Sequence, residues 1–500
     1  MAFNKAQHKK GEYAVEDRRP LLSREEKDEF TKHVYRFENL ALEGGGSKGG
    51  AYVGAIRVLE EIGVWKNIRR FSGASVGAIV SMWAALGYDS YEIAKMFDVN
   101  LSEKCYDAFF GRASLPYNML NHYGWHPGNK LMKWLGEAVA EKLGHPDATF
   151  ADLYAKTGRE LCIVVVNVNE LGCLYCHVKT TPDMPIRIAA KMSSAIPGVV
   201  APVRYIHHGT ENLFCDGGLI CNYPIHVYDG WYLSMKPKDN FLRRIPDLND
   251  AVAAWDMSYK FGSESNKNTI GMLLYSEGEQ EIFKVQLRER LHKYTTESNP
   301  YPDTKLARER ANFKEKQTLM ADKHKELVEA MMAFVTLLRK SDIDDSGTIS
   351  RDELKNALGE GGSRFSDHQK ELLFGKTPVD DLFDSLDKDG NGEITVLELT
   401  AFAEQKGMAV RKLFRGFESR KVTDMTGYFD AVVETLLLNM KRIFIRGEDL
   451  HRTIGIDTAY VDTLDFGMES ADKQFLTQQG KLACMAFLRD HLARNIVEGD

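Results

Sequence analysis

No stretch of this 500-residue chain stays apolar long enough to cross a bilayer; the longest apolar-rich run, Ala74 to Leu86, is broken by serines. Met1 to Pro20 is polar and charged and lacks the apolar core of a signal peptide. Cysteine is scarce. Seven residues, odd in number and unevenly spaced, argue against a disulfide framework and for a reducing compartment. A net charge of −7 implies no basic face, so nucleic acid is not an expected partner. A cytoplasmic chain whose membrane contact is peripheral is therefore expected. What is present is apolar content, 43% of residues, enough for a large core and two to four domains.

Residues 1–36 are charge-rich without apolar periodicity and read as a loosely docked extension. From Phe37 the texture is α/β. Phe37 to Glu43 reads as a strand entering a glycine cluster, and Ala51 to Ile62 as a helix stopped by Gly63. Arg70 to Ser72 is a second strand, followed by a helix that ends at Gly87. Leu161 to Val168 has the unbroken apolar texture of a parallel strand buried on both faces. Strands alternating with helices predict a mainly parallel sheet covered on both sides. Residues 281–325 are dense in charge, with a proline break at Asn299 to Pro302, and read as a helical connector.

Three features carry chemistry. Gly73-Ala74-Ser75-Val76-Gly77 places a serine on a sharp strand-to-helix turn, with the following helix N-terminus favouring negative charge at the reacting centre. Gly44-Gly45-Gly46-Ser47-Lys48-Gly49 lies between another strand and helix. Its glycines let backbone N–H groups turn outward as an oxyanion hole, and Lys48 adds charge or holds the loop. The same letters fit a dinucleotide fingerprint, which needs an acidic residue after the next strand. Glu60 and Glu61 lie on the helix instead. Asp216-Gly217-Gly218 sets a carboxylate where it can approach a serine hydroxyl, and burial would raise its pKa toward that of a useful base. Histidines His122, His126, His177, His207, His208 and His226 leave a Ser-His-Asp triad open on composition alone.

These blocks, in this order, resemble the patatin-like phospholipases. Leu42 to Gly49, continuing through Gly50 to Ile56, resembles the oxyanion loop and first helix, and Gly73 to Gly77 the nucleophile elbow. Lys191 to Gly198 with Pro202 resembles the segment before the catalytic aspartate, and Asp216 to Gly218 with Asn222 and Pro224 the aspartate block. The resemblance implies a three-layer α/β/α hydrolase fold, with its main part over residues 37–280 and a C-terminal part over 420–495. Thr269 to Leu274 is similar to a late strand of that fold. Arg452 to Thr458, Thr463 to Phe466 and Gly480 are similar to its closing segment. It further implies a Ser–Asp dyad without histidine, acting on phospholipid or other acyl lipid at a membrane surface: Ser75 as nucleophile, Asp216 as base, and Gly44, Gly45, Gly46, Lys48 and Gly49 in the oxyanion loop. Some members of the family need a protein activator. A lipid transacylase, or a calcium-dependent adaptor with an inactive hydrolase body, are the competing readings.

Residues 326–405 hold two twelve-residue EF-hand loops, Asp342 to Glu353 and Asp387 to Glu398, flanked by apolar helical patterns. Oxygen side chains wrap one hard cation, a glycine makes the turn, and the last glutamate binds bidentately. The expected Ca2+ ligand positions are Asp342, Asp344, Ser346, Thr348, Glu353, Asp387, Asp389, Asn391, Glu393 and Glu398. The all-α pair would then sit inside the hydrolase domain, where calcium could control the lipid site. Cys173-Leu174-Tyr175-Cys176-His177 fits a haem-attachment pattern but lies in strand-like sequence, and coincidence is the better reading. Phe109, Phe110, Tyr117, Met119 and Trp125 form an aromatic stretch best read as core.

Overall fold

The computed structural model describes residues 18–99, 103–104, 107, 121–244, 256–277, 283–311, 330–331, 333–341, 346–359, 366–375, 377–405, 431–432, 435, 439–441 and 443–497. Phe109, Phe110, Tyr117, Met119, Asp342 and Asp344 lie outside the described residues. The chain divides into two compact units, Met1–Ala307 with Tyr428–Asp500, and Arg308–Gly427.

The larger unit is built on an eight-stranded sheet. Its strands are β1 (Asn39–Leu42), β2 (Arg70–Gly73), β4 (Glu160–Asn167), β5 (Gly172–Cys176), β7 (Val203–His207), β8 (Thr210–Asp216), β9 (Thr269–Ser276) and β12 (Thr453–Ala459). The order is β12-β9-β1-β2-β4-β8-β7, with β5 also on β4. The run from β12 to β4 is parallel, whereas β5, β7 and β8 join antiparallel. The mainly parallel sheet expected from the alternating texture is present.

Alternate residues of the central strands enter different cores, the physical origin of their continuous apolar texture. Leu40, Leu42, Ile163, Val165, Met272 and Leu274 pack on one side, beneath helices that include α2 (Tyr52–Glu61), α3 (Val76–Leu86), α4 (Ile186–Ser193) and α6 (Ser470–Val497). Ala41, Leu273 and Tyr275 pack on the other side, as do Cys162 and Val164. That second face is covered by the segment after Asp216, the short helix Met257–Phe261 and α5 (Lys284–Tyr294). The result is the three-layer α/β/α architecture.

Part of the N-terminal extension is docked rather than loose. Ser23 closes a capping box on α1 (Arg24–Thr31), whose Phe30 is fully buried. The Arg489 fork grips both Glu29 carboxylate oxygens at 2.8 Å. One buried aromatic on an otherwise charged helix leaves almost no periodic signal in the sequence.

The smaller unit has its own core, in which Phe334, Leu338, Leu382, Phe383 and Leu386 are buried. Ile349 and Ile394, the eighth residues of the two loops, face each other across the antiparallel pair β10 (Ile349–Ser350) and β11 (Glu393–Ile394). The two loops are thus tied back to back.

Candidate active site

β2 delivers the chain to Gly73, and α3 begins at Val76, which leaves Ser75 on the turn with φ +52° and ψ −128°. A positive φ in a residue bearing a Cβ is strained, and the surrounding structure must hold it. The hold is visible. The Ser75 N–H donates to Ser193 Oγ at 2.9 Å, and Ser193 Oγ–H donates to the Val164 carbonyl of β4 at 2.6 Å. Gly77 lets the helix approach β1: a Cβ there would stand 2.4 Å from the Leu42 carbonyl oxygen. A Cβ on Gly73 would equally meet the backbone of Gly77.

Asp216 ends β8, opposite Val165 on β4. It is buried, its carboxylate accepts the Gly218 N–H at 2.7 Å, and the Ser75 hydroxyl lies beside it. Burial raises its pKa to about 7, against the downward pull of the Gly218 N–H and the Ser75 hydroxyl. Gly217 lies close under β4, where a Cβ would strike the Val164 carbonyl. Among the described residues no histidine bonds Ser75 or Asp216. His226 is buried against Phe261 and Phe444, with burial pushing its pKa down to about 3, so it is a neutral core group.

The glycine loop curls over the same point as a short helical turn, Gly46–Ala51. Its donors are not equivalent. The Gly44 N–H is committed to the Asn222 carbonyl at 3.0 Å and the Lys48 N–H to the Gly45 carbonyl at 3.2 Å. Among the described residues the amides of Gly45, Gly46 and Val76 have no acceptor. Gly46 has φ +55°, and a Cβ there would lie 2.1 Å from the Thr463 carbonyl oxygen. Ser47 holds the closing segment through Oγ to the Asp462 carbonyl (2.6 Å) and N–H to the Thr463 carbonyl (2.9 Å). Gly49 packs on Val76, and the Lys48 side chain is buried beside Gly45. Val76 was absent from the sequence-derived set, although a helix's first N–H groups are always unsatisfied within the helix.

A cleft open to solvent leads away from Ser75. Its walls are almost wholly apolar, with Ile79 and Trp83 of α3, Phe97, Trp134, Val199 and Phe466 among them. Ile79 and Trp83 stand four and eight residues beyond Ser75, the helical spacing that repeats one face. That spacing was the available signal. Leu464, 54% exposed, lies on the lip of the cleft. Trp125 of β3 (Gly124–His126) pairs beside Val199 of β6 (Gly198–Val200).

In the smaller unit, ligand oxygens of Asp387, Asp389 and Glu398 lie within 4.8 Å of one another. Such an all-oxygen carboxylate set fits a hard divalent cation. Asn391 N–H bonds Asp389, and Glu393 accepts from the Thr348 hydroxyl across the loop pair at 2.8 Å. Glu353 accepts the Ser350 N–H at 2.9 Å, and Ser346 donates to the Thr348 carbonyl at 3.2 Å.

A half-buried serine on a strained strand-to-helix turn thus stands beside a buried carboxylate, under a loop whose Gly45 and Gly46 amides have no acceptor among the described residues, an arrangement that acyl transfer through a serine would need. Residues 40–229 match the patatin-like phospholipase family and residues 333–404 the EF-hand domain pair. The chain carries a patatin-like phospholipase domain and an EF-hand pair. It is 31% identical over 39% of its length to the uncharacterized protein R571 of Acanthamoeba polyphaga mimivirus, covering 62% of that protein. It is 28% identical over 38% of its length to the probable lipid hydrolase 463L of invertebrate iridescent virus 6, covering 63%. The matches thus span less than two thirds of these relatives. VipD of Legionella pneumophila aligns with a TM-score of 0.39 at 14% identity, over 91% of this chain and 67% of that one. Among the described residues no helix is long and apolar enough to cross a membrane.

Proposed function

We propose that this chain hydrolyses acyl esters of lipids, with Ser75 as nucleophile and Asp216 as general base. The observation that carries the reading is the Ser75 hydroxyl beside buried Asp216 at the head of an apolar cleft. Ionised Asp216 takes the Ser75 proton as Oγ bonds the ester carbonyl carbon. The oxyanion that forms lies toward the amides of Gly45, Gly46 and Val76. Collapse expels the alcohol, which takes the proton from Asp216. Water then attacks the acyl-serine, gives a proton to Asp216 and frees the acid, Ser75 recovering its proton. The cleft takes the acyl chain, and Leu464 at its lip meets the lipid surface from which the chain is drawn. A fluorophosphonate probe is expected to label the wild-type protein at Ser75, with labelling slowed by a long-chain phospholipid competitor. An unlabelled Ser75 in folded protein would favour an adaptor with an inactive body.

Calcium binding at the EF-hand pair is proposed to regulate this site. Glu398→Gln removes one carboxylate from the Asp387–Asp389–Glu398 cluster and is expected to weaken calcium binding by about tenfold or more, since ligand charge sets EF-hand affinity. Calorimetry reads the binding, and the calcium midpoint of ester hydrolysis should shift by the same factor. Hydrolysis that stays flat across a titration in which calcium demonstrably binds would sink the regulation.

A further inference from the structure

Glu43 stands immediately before the glycine loop and is buried. Its carboxylate is held three ways. Oε2 accepts the Leu274 N–H of β9 at 2.9 Å, while Oε1 accepts Asn222 Nδ2 at 3.2 Å and lies 2.6 Å from Lys441 Nζ. Both ends of the ion pair are sequestered, with side-chain exposures of 7% for Lys441 and 4% for Glu43. Asn222 extends the clamp: its Nδ2 also donates to the Gly44 carbonyl at 3.1 Å, and its carbonyl accepts the Gly44 N–H. The chain from Lys441 through Glu43 and Asn222 therefore ends on the residue that leads into the Gly45 and Gly46 amides.

We propose that Lys441 is a positioning residue for acyl transfer, bracing the oxyanion loop through Glu43 and cancelling the carboxylate's charge beside the developing oxyanion. The proposal rests on the Ser75 reading above. The physical need is twofold. A buried carboxylate without a partner is costly, so it sheds its charge or moves out toward water, and either change disturbs the loop it anchors. An uncompensated negative charge in a low-dielectric site also opposes the negative charge of the tetrahedral intermediate. Lys441 belongs to the stretch by which the chain re-enters the hydrolase unit after residues 308–427. The loop is thus completed only by chain that follows the calcium-binding unit.

The test is Lys441→Met in the full chain, read as kcat and KM on a soluble short-chain ester and as the rate of fluorophosphonate labelling. Expected is a kcat about 10- to 100-fold lower, short of the roughly 10²–10³ lost with an oxyanion donor itself, with KM little changed and labelling slowed in parallel. The double variant Glu43→Gln with Lys441→Met keeps an acceptor for Leu274 without a stranded charge, and should regain most of kcat. Wild-type kcat and labelling in Lys441→Met, with only a lower Tm, would make the pair a fold brace and overturn the proposal. If the single variant fails to fold, the double variant decides: near-wild-type kcat supports the charge-cancelling role, and a folded but equally slow double variant rejects it. Absence of labelling in the wild type would remove the Ser75 reading and this inference with it. Normal wild-type labelling with an unaffected Lys441→Met removes only the inference.

Discussion

Asp216→Asn is expected to lower kcat/KM for ester hydrolysis by about 10²–10⁴, the range for loss of a positioned general base, and to make the protein more stable at pH 8. The two effects share one cause. Burial lifts the Asp216 pKa from 3.8 to about 7, so the folded protein favours the neutral carboxyl. The stability that the neutral form supplies is complete below the unfolded-state pKa near 4. It fades as pH rises and is gone once pH passes about 7, where the buried charge costs roughly 4 kcal/mol. Asparagine keeps the shape and an acceptor for Gly218 but never ionises. Its Tm advantage should therefore be absent near pH 3.5, grow from pH 4 upward and level off above 7. Wild-type kcat/KM should rise over the upper part of the same window, with its midpoint near 7, because only ionised Asp216 takes the serine proton. Thermal melts and rate profiles from pH 3.5 to 8.5 check both. A Tm difference independent of pH would deny the raised pKa, and retained hydrolysis would deny the base.

What was legible in the sequence was whatever is local. Gly73 announces the turn because a Cβ there would strike the Gly77 backbone four residues on, and EF-hand loops carry their ligands within twelve residues. The helix stops at Gly63 and Gly87 were equally readable, both glycines having positive φ. Contacts between distant segments left no such trace. Lys441 meets Glu43 from the far end of the chain, and Phe466 reaches the cleft only because the segment after β12 returns over Gly46. The oxyanion loop shows the limit most clearly. The letters offered several equivalent amides, and only the fold distinguishes Gly44, whose N–H is spent on Asn222, from Gly45 and Gly46. Trp83 was readable in principle, being on the Ser75 face of α3. Its letters alone do not assign it, since an apolar cleft wall and a core face have the same helical period.

Ser75→Ala should abolish measurable hydrolysis, a fall of about 10⁴–10⁶ in kcat, since a nucleophile has no partial substitute. Comparing it with Ser75→Gly separates chemistry from backbone strain. Both variants lack the hydroxyl, so both should be inactive and unlabelled by a fluorophosphonate. They differ in the Cβ held at φ +52°. Alanine keeps that strain, of order 1–3 kcal/mol, while glycine releases it. Replacing alanine by glycine ordinarily costs about 0.5–1 kcal/mol through the entropy of the unfolded chain. At this position the release outweighs that cost, so the glycine variant is expected to melt at or above the alanine variant. Neither change touches the Ser75 N–H bond to Ser193, which stays as the anchor of the turn. The lost hydroxyl also removes one of the two groups that lower the Asp216 pKa, so that pKa rises further in both variants and adds to the cost of ionising it at pH 8. Melts at pH 5 and pH 8 measure this: relative to wild type, both variants should lose more at pH 8. An alanine variant that melts above the glycine variant would show that the elbow stores no strain at Ser75, and any residual hydrolysis that survives rigorous purification would move the nucleophile elsewhere.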